Sequence, residues 1–138
     1  MAMPQIGVSL RPVGGSVVVG QARDHTLTID RPKEKEGTDT GPMGGELLLL
    51  ALGGCYVSTF LAALKAEDPQ ADASEISFQV DGSLVSAPTR FSEVTVQISA
   101  PAALQDLISK PLLKAERGCI VHNSIRDAIT VRFTHEWR

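Results

Sequence analysis

Two cysteines, Cys55 and Cys119, are the residues of this chain best suited to chemistry, and they lie 64 residues apart. Such a separation does not by itself bring two thiols together. Three readings are open. Free cysteine is among the most buried residue types, so both can be small core hydrophobes. Alternatively, one is a nucleophile and the other a resolving thiol. Cys119 stands at the predicted start of a short helix, where backbone N–H groups favour a thiolate. Cys55 follows Gly53-Gly54, which leave its sulfur approachable. The third reading is zinc: Cys119 and His122 have C-x2-H spacing, and Cys55 can add a third ligand. A structural zinc site needs four ligands, and no second close pair exists. His122 otherwise reads as a helix-surface residue or a support for its neighbours. His25 and His135 fall on predicted strands and receive no chemistry. No G-x-S-x-G, Walker loop or dinucleotide fingerprint is present.

The element that must carry Cys55 is the stretch from Gly41 to Ala66, GPMGGELLLLALGGCYVSTFLAALKA. No charged residue occurs from Leu47 to Leu64. Four consecutive leucines cannot share one stripe of a helix, because successive residues rotate by about 100°. A helix apolar all round is buried on every side. The run reaches the lower limit for a membrane span. Gly53, Gly54, Ser58 and Thr59 in mid-run, with no basic residue on the N-terminal flank, favour a buried core helix instead. Gly53-Gly54 implies either close packing or access to the sulfur, since two glycines weaken a helix.

The whole chain is 138 residues, the size of a single domain. Its net charge of −3 comes without a basic block, and aromatics are few: four Phe, one Tyr and one Trp. Nucleic acid and an anionic membrane surface are therefore not expected as partners. The N-terminal residues show no charged segment followed by an apolar one, and two cysteines without a signal peptide fit a reducing cytoplasm.

In order, Gln5 to Leu10, Ser16 to Gln21 and His25 to Asp30 read as an antiparallel meander, with Pro12-Val13-Gly14-Gly15 as the first hairpin. Arg31 to Gly44 is a polar loop. After the helix, Glu75 to Val85 and Phe91 to Ala100 alternate as a second hairpin. From Pro101 the pattern is helical, with Pro111 as a kink or break. Ile120 to Ala128 is a second helical segment, and Ile129 to Phe133 a last strand. The expected order β-β-β-α-β-β-α-α-β is an antiparallel α+β protein. A partner subunit is the simplest source of cover for the apolar helix.

GPMGGELLLLALGGCYVSTFLAAL resembles the central-helix signature of the OsmC/Ohr family, and AERGCIVHNSI resembles its second-cysteine motif. The two together, at about the right spacing, are specific, and the resemblance covers most of the chain. It implies antiparallel sheets around a long buried central helix, in an intertwined homodimer with two sites at the interface. Peroxidase members of the family reduce organic hydroperoxides without a cofactor. They use a peroxidatic and a resolving cysteine and are recycled by dithiols such as lipoylated proteins. By resemblance these roles fall on Cys55 and Cys119. The family's thiolate-pairing arginine is best matched by Arg31, with Arg11 and Arg23 as weaker matches.

One position departs from the pattern. The family's glutamate, ten residues before the reactive cysteine, is here Gly45, and Glu46 lies nine before. The departure resembles a subgroup set apart from the peroxidase members, with Glu46 kept as a candidate site residue; Glu46 reads equally as an acid in the first helical turn, favourable there for the dipole. The resemblance leaves a second function open: an OsmC-like protein without peroxidase activity that binds a small apolar ligand or senses thiol state. A dimer with inert cysteines is the third.

Overall fold

The structure, a computed structural model, describes residues 3–138. The chain forms two compact units, the first ending at Leu48 and the second starting at Leu49.

The first unit holds an antiparallel three-stranded sheet of β1 (Ser9–Gly14), β2 (Val17–Ala22) and β3 (His25–Ile29), in that order. Pro12 lies inside β1 and not in the hairpin expected from the sequence. Proline lacks an N–H, and β1 tolerates it as an edge strand, with a register shift between Pro12 and Gly14. The turn tightens instead around Gly15, whose φ of 55° suits glycine. Leu10 and Leu27 leave an apolar sheet surface exposed, at 61% and 45%.

α1 (Gly44–Glu67) begins in this unit and continues into the second. Within the second unit Leu52, Tyr56, Phe60 and Leu64 are buried. They recur every four residues, so they form one stripe. Each such burial stabilises by about 1.5–3 kcal/mol. On other faces Leu50 is 62% exposed and Leu61 45% exposed. The chain alone therefore covers one side of a helix whose composition calls for cover all round.

The buried stripe packs in one cluster with Val94, Val96, Ile98 and Ala100. These residues alternate along β5 (Arg90–Ala100), which pairs antiparallel with β4 (Ser77–Val85). The last strand, β6 (Thr130–Trp137), pairs parallel with β5. The second sheet is thus mixed, where the sequence reading expected antiparallel pairing throughout. Parallel neighbours need a long crossover, and the two helices between β5 and β6 provide it. These are α2 (Gln105–Gly118), preceded by one 3-10 turn at Ala102–Leu104, and α3 (Ile120–Ile125). Of the kink or break expected at Pro111, the break does not occur: α2 runs on through it, and Pro111 is fully buried. It forfeits one helix hydrogen bond, and its burial beside Ile108 and Leu112 offsets part of that loss.

Candidate functional site

In the second unit the fold brings Cys55 and Cys119 together. Cys55 lies in mid-α1 and is partly exposed; Cys119 is fully buried at the junction of α2 and α3. The two preceding glycines divide the expectations placed on them. A Cβ on Gly53 would meet the Val80 side chain at 3.0 Å, so Gly53 lets α1 approach β4. Gly54 is exposed and meets nothing within 4 Å, so the chain before Cys55 is open on that side.

Cys119 is the N-cap of α3. Its sulfur accepts the backbone N–H of His122 at 3.4 Å, and its thiol points to the Leu52 carbonyl at 4.0 Å, a long contact. The next two amides, of Ile120 and Val121, face the Cys55 sulfur. The helix start thus presents its unpaired N–H groups to both thiols.

The electrostatics of the two sulfurs differ in direction. Burial by itself raises the Cys55 thiol. The Val121 amide, the Cys119 thiol, the Ile120 amide and the Thr59 hydroxyl outweigh it, and Cys55 ends below the ordinary thiol value. Cys119 is pushed up, first by burial and then by the facing Cys55, beyond what the His122 and Val121 amides recover. Cys55 is thus the readier thiolate and the more accessible one. Cys119 is the thiol held protonated beside it.

His122, whose spacing from Cys119 raised the zinc reading, is buried with its ring in place. Nδ1 lies 2.9 Å from the Glu116 carbonyl, and the ring meets Phe133 edge-on at 5.1 Å. It anchors α3 against α2 and β6.

Arg31 and Glu46 belong to the first unit. The loop that carries Arg31 is built around Asp30, which is 2% exposed. One carboxylate oxygen accepts the Ser16 hydroxyl at 2.5 Å and the Arg31 amide at 2.7 Å. The other accepts the Thr38 hydroxyl, the Thr40 amide at 3.1 Å and the Thr40 hydroxyl at 2.7 Å. These donors, Ser16 and Thr38 foremost, hold the Asp30 carboxyl far below the usual range. The Arg31 carbonyl accepts the Asp39 amide at 3.0 Å, so its backbone is fixed on both sides. The Arg31 side chain is exposed and makes no ion pair among the described residues. Glu46 accepts the Met43 amide at 2.9 Å, three residues back, as in the return half of a capping box.

Asp30 was not singled out in the sequence, although TID before a loop containing TDT was a visible signal. Thr59 was missed too. It stands four residues after Cys55, one helical turn along the same face, and its hydroxyl donates to the Cys55 carbonyl at 2.8 Å.

The family model for OsmC-like proteins matches residues 37–134. The chain belongs to the OsmC-like family. The matched segment includes both cysteines and Glu46 and begins after Arg31. Solved structures share the fold over nearly all of both chains. A putative osmotic stress induced and detoxification response protein from Psychrobacter arcticus is 20% identical, with a TM-score of 0.79 and 98% of each chain covered. The OsmC-like protein of Mycoplasma pneumoniae is 18% identical at a TM-score of 0.76, covering 98% of this chain and 96% of that one. The organic hydroperoxide resistance protein OsmC from Legionella pneumophila is 17% identical at 0.72, with 99% of each covered. No curated protein matches. Family and fold together mark an OsmC-like protein, and organic hydroperoxide resistance proteins are among the solved structures that share its fold.

Proposed function

We propose that this OsmC-like protein is a thiol-dependent peroxidase of organic hydroperoxides that needs no cofactor. The observation that carries the reading is the Cys55–Cys119 pair, with the accessible member turned toward the thiolate and the buried one away from it. Cys55 thiolate attacks the distal oxygen of the hydroperoxide. The O–O bond breaks, the leaving alkoxide takes a proton to become an alcohol, and Cys55 becomes a sulfenic acid. The Cys119 thiol attacks that sulfur and water leaves, giving a disulfide. An external dithiol, such as a lipoylated protein, then reduces it by thiol–disulfide exchange.

Arg31, preset by the Asp30 loop and without a carboxylate partner among the described residues, would hold Cys55 as thiolate and stabilise charge on the leaving oxygen. Glu46 would act through the helix start that it caps. The functional unit in this reading is a homodimer in the cytoplasm. Its support is the exposed Leu50 and Leu61 on α1 and the uncovered apolar sheet surface of the first unit.

The test is consumption of cumene hydroperoxide by the purified protein with a dithiol. Turnover of the hydroperoxide supports the proposal. A disulfide that forms once without turnover would point to thiol sensing, and unreacted cysteines to an inert pair.

A further inference from the structure

The second unit holds a cleft of about 330 Å³ between α2 and β6, at the small end of the range of ligand pockets. Helix and strand each turn one face to it. On α2, Gln105, Ser109, Leu112 and Glu116 follow at spacings of four, three and four residues, which is a single stripe. On β6, His135 and Trp137 are two residues apart and share a face. Their rings stack at 5.7 Å with an interplanar angle of 8°, a flat aromatic wall. The floor is Tyr56 of α1, 1% exposed. Neither cysteine lines the cleft.

Three groups in this lining are acceptors without a good partner. The Tyr56 ring is wedged against Phe133 at 4.9 Å and Phe78 at 6.1 Å, which fixes its hydroxyl. That hydroxyl reaches the Leu112 carbonyl at 3.5 Å, where an O–H···O bond is ordinarily below about 3.0 Å. Burial first, then Glu116 and Cys119, push the phenol above its usual value, so it stays protonated and its oxygen remains an acceptor. Ser109 donates its hydroxyl hydrogen to the Gln105 carbonyl at 2.6 Å, which leaves its oxygen an acceptor as well. The Glu116 carboxylate has no ion pair among the described residues; the lysines of α2, Lys110 and Lys114, reach Glu67 instead, at 3.6 and 4.0 Å. No lysine or arginine lines the cleft.

A carboxylate beside an indole selects by sign of charge, since both attract a cation. An ammonium group carries three N–H donors, one each for Tyr56, Ser109 and Glu116. Leu112 and the exposed Leu113 add apolar surface for the rest of such a molecule.

We propose that this cleft binds a small organic ammonium ion with a flat ring body: the ammonium donates to Glu116, Tyr56 and Ser109, and the ring lies along the two leucines and the His135–Trp137 wall. The site stands apart from the thiol pair and does not depend on the peroxidase reading.

The chain has one tryptophan, and it lies in this lining, so its fluorescence reports the cleft alone. The experiment titrates the full-length protein with 2-phenylethylammonium and, in parallel, with phenylacetate, which carries the same ring and the opposite charge. The amine should change the Trp137 emission saturably at millimolar concentration or below, and phenylacetate should not. Glu116→Gln keeps the shape and should raise the dissociation constant about tenfold or more; Tyr56→Phe keeps the packed ring and should raise it about three- to tenfold. Glu136→Gln, on the other face of β6, should leave it unchanged. The proposal is overturned by the lack of a saturable response to the amine, by an equal response to phenylacetate, or by parent affinity in Glu116→Gln.

Discussion

Gly37 and Arg31 meet backbone to backbone: a Cβ on Gly37 would stand 1.9 Å from the Arg31 carbonyl oxygen. Gly41 is in the same position against the Thr28 carbonyl, at 2.2 Å. Neither neighbour can swing aside, since each is main chain. Gly37→Ala and Gly41→Ala should each lower the melting temperature by about 3–10 °C. Gly44→Ala, at a site with nothing within 4 Å, should cause no loss. Thermal unfolding of the three proteins checks this, and equal behaviour would contradict the clamped loop.

Acid should loosen the same loop. The Asp30 carboxyl is held well below its ordinary value by hydroxyl and amide donors. A depressed carboxyl contributes stability fully above the unfolded value, near 4. That contribution is lost as pH falls from there toward the folded value, because the unfolded chain takes up the proton first. Asp30→Asn should therefore be less stable than the parent at pH 7, with the gap narrowing toward pH 3. Urea unfolding of both proteins across that range measures it; a constant gap would exclude the carboxylate as the cause.

The two cysteines should fail differently. Cys55→Ser should abolish hydroperoxide consumption while keeping the fold. Cys119→Ser should keep the first turnover, block recycling and leave Cys55 as a sulfenic or over-oxidised acid. Serine is a good N-cap, so α3 should survive this change. Single-turnover kinetics with intact-mass analysis separate the two. Parent-rate consumption by Cys55→Ser would place the nucleophile elsewhere.

The proposed homodimer would cover the exposed leucines of α1. Light scattering at micromolar concentration should find dimers. Leu61→Glu should raise the dissociation constant at least tenfold, as a charge placed in an apolar contact must be desolvated. A stable, folded parent monomer would remove the basis for a shared site.

If the site is shared, Arg31 and Cys55 come from different chains. Cys55→Ser and Arg31→Ala homodimers should both be nearly inactive. Their mixed dimer should regain one site and about half the parent activity, with Cys55 from one chain and Arg31 from the other. No recovery in a verified folded heterodimer would mean that one chain supplies both groups, or that Arg31 is the wrong arginine.

The sequence was most informative where one local pattern determines one element. The uncharged run that became α1, the alternation of Val94, Val96 and Ile98, and the two cysteine motifs could all be read directly. Pro12 misled, and Pro111 left kink and break open, because tolerance of proline depends on an edge position and on burial, which are tertiary facts. The parallel β5–β6 pairing depends on which way a two-helix crossover returns. The Asp30 cluster gathers donors from Ser16, Arg31, Thr38 and Thr40, and no periodicity links those positions. Thr59 was in plain view, but an isolated threonine in a helix carries no signal until its hydrogen-bond partner is known.

Cys119 performs two tasks with one atom, since its sulfur also ends a helix. A disulfide sulfur is a poorer acceptor than a free thiol or thiolate, so oxidation weakens what holds the His122 amide. The redox state of the pair should then be legible in deuterium uptake. The amide of His122 should exchange slowly in the reduced protein and faster in the oxidised one, while Asn123, whose amide bonds the Cys119 carbonyl at 2.9 Å, keeps its protection. A single backbone hydrogen at the start of α3 would report the redox state of the pair.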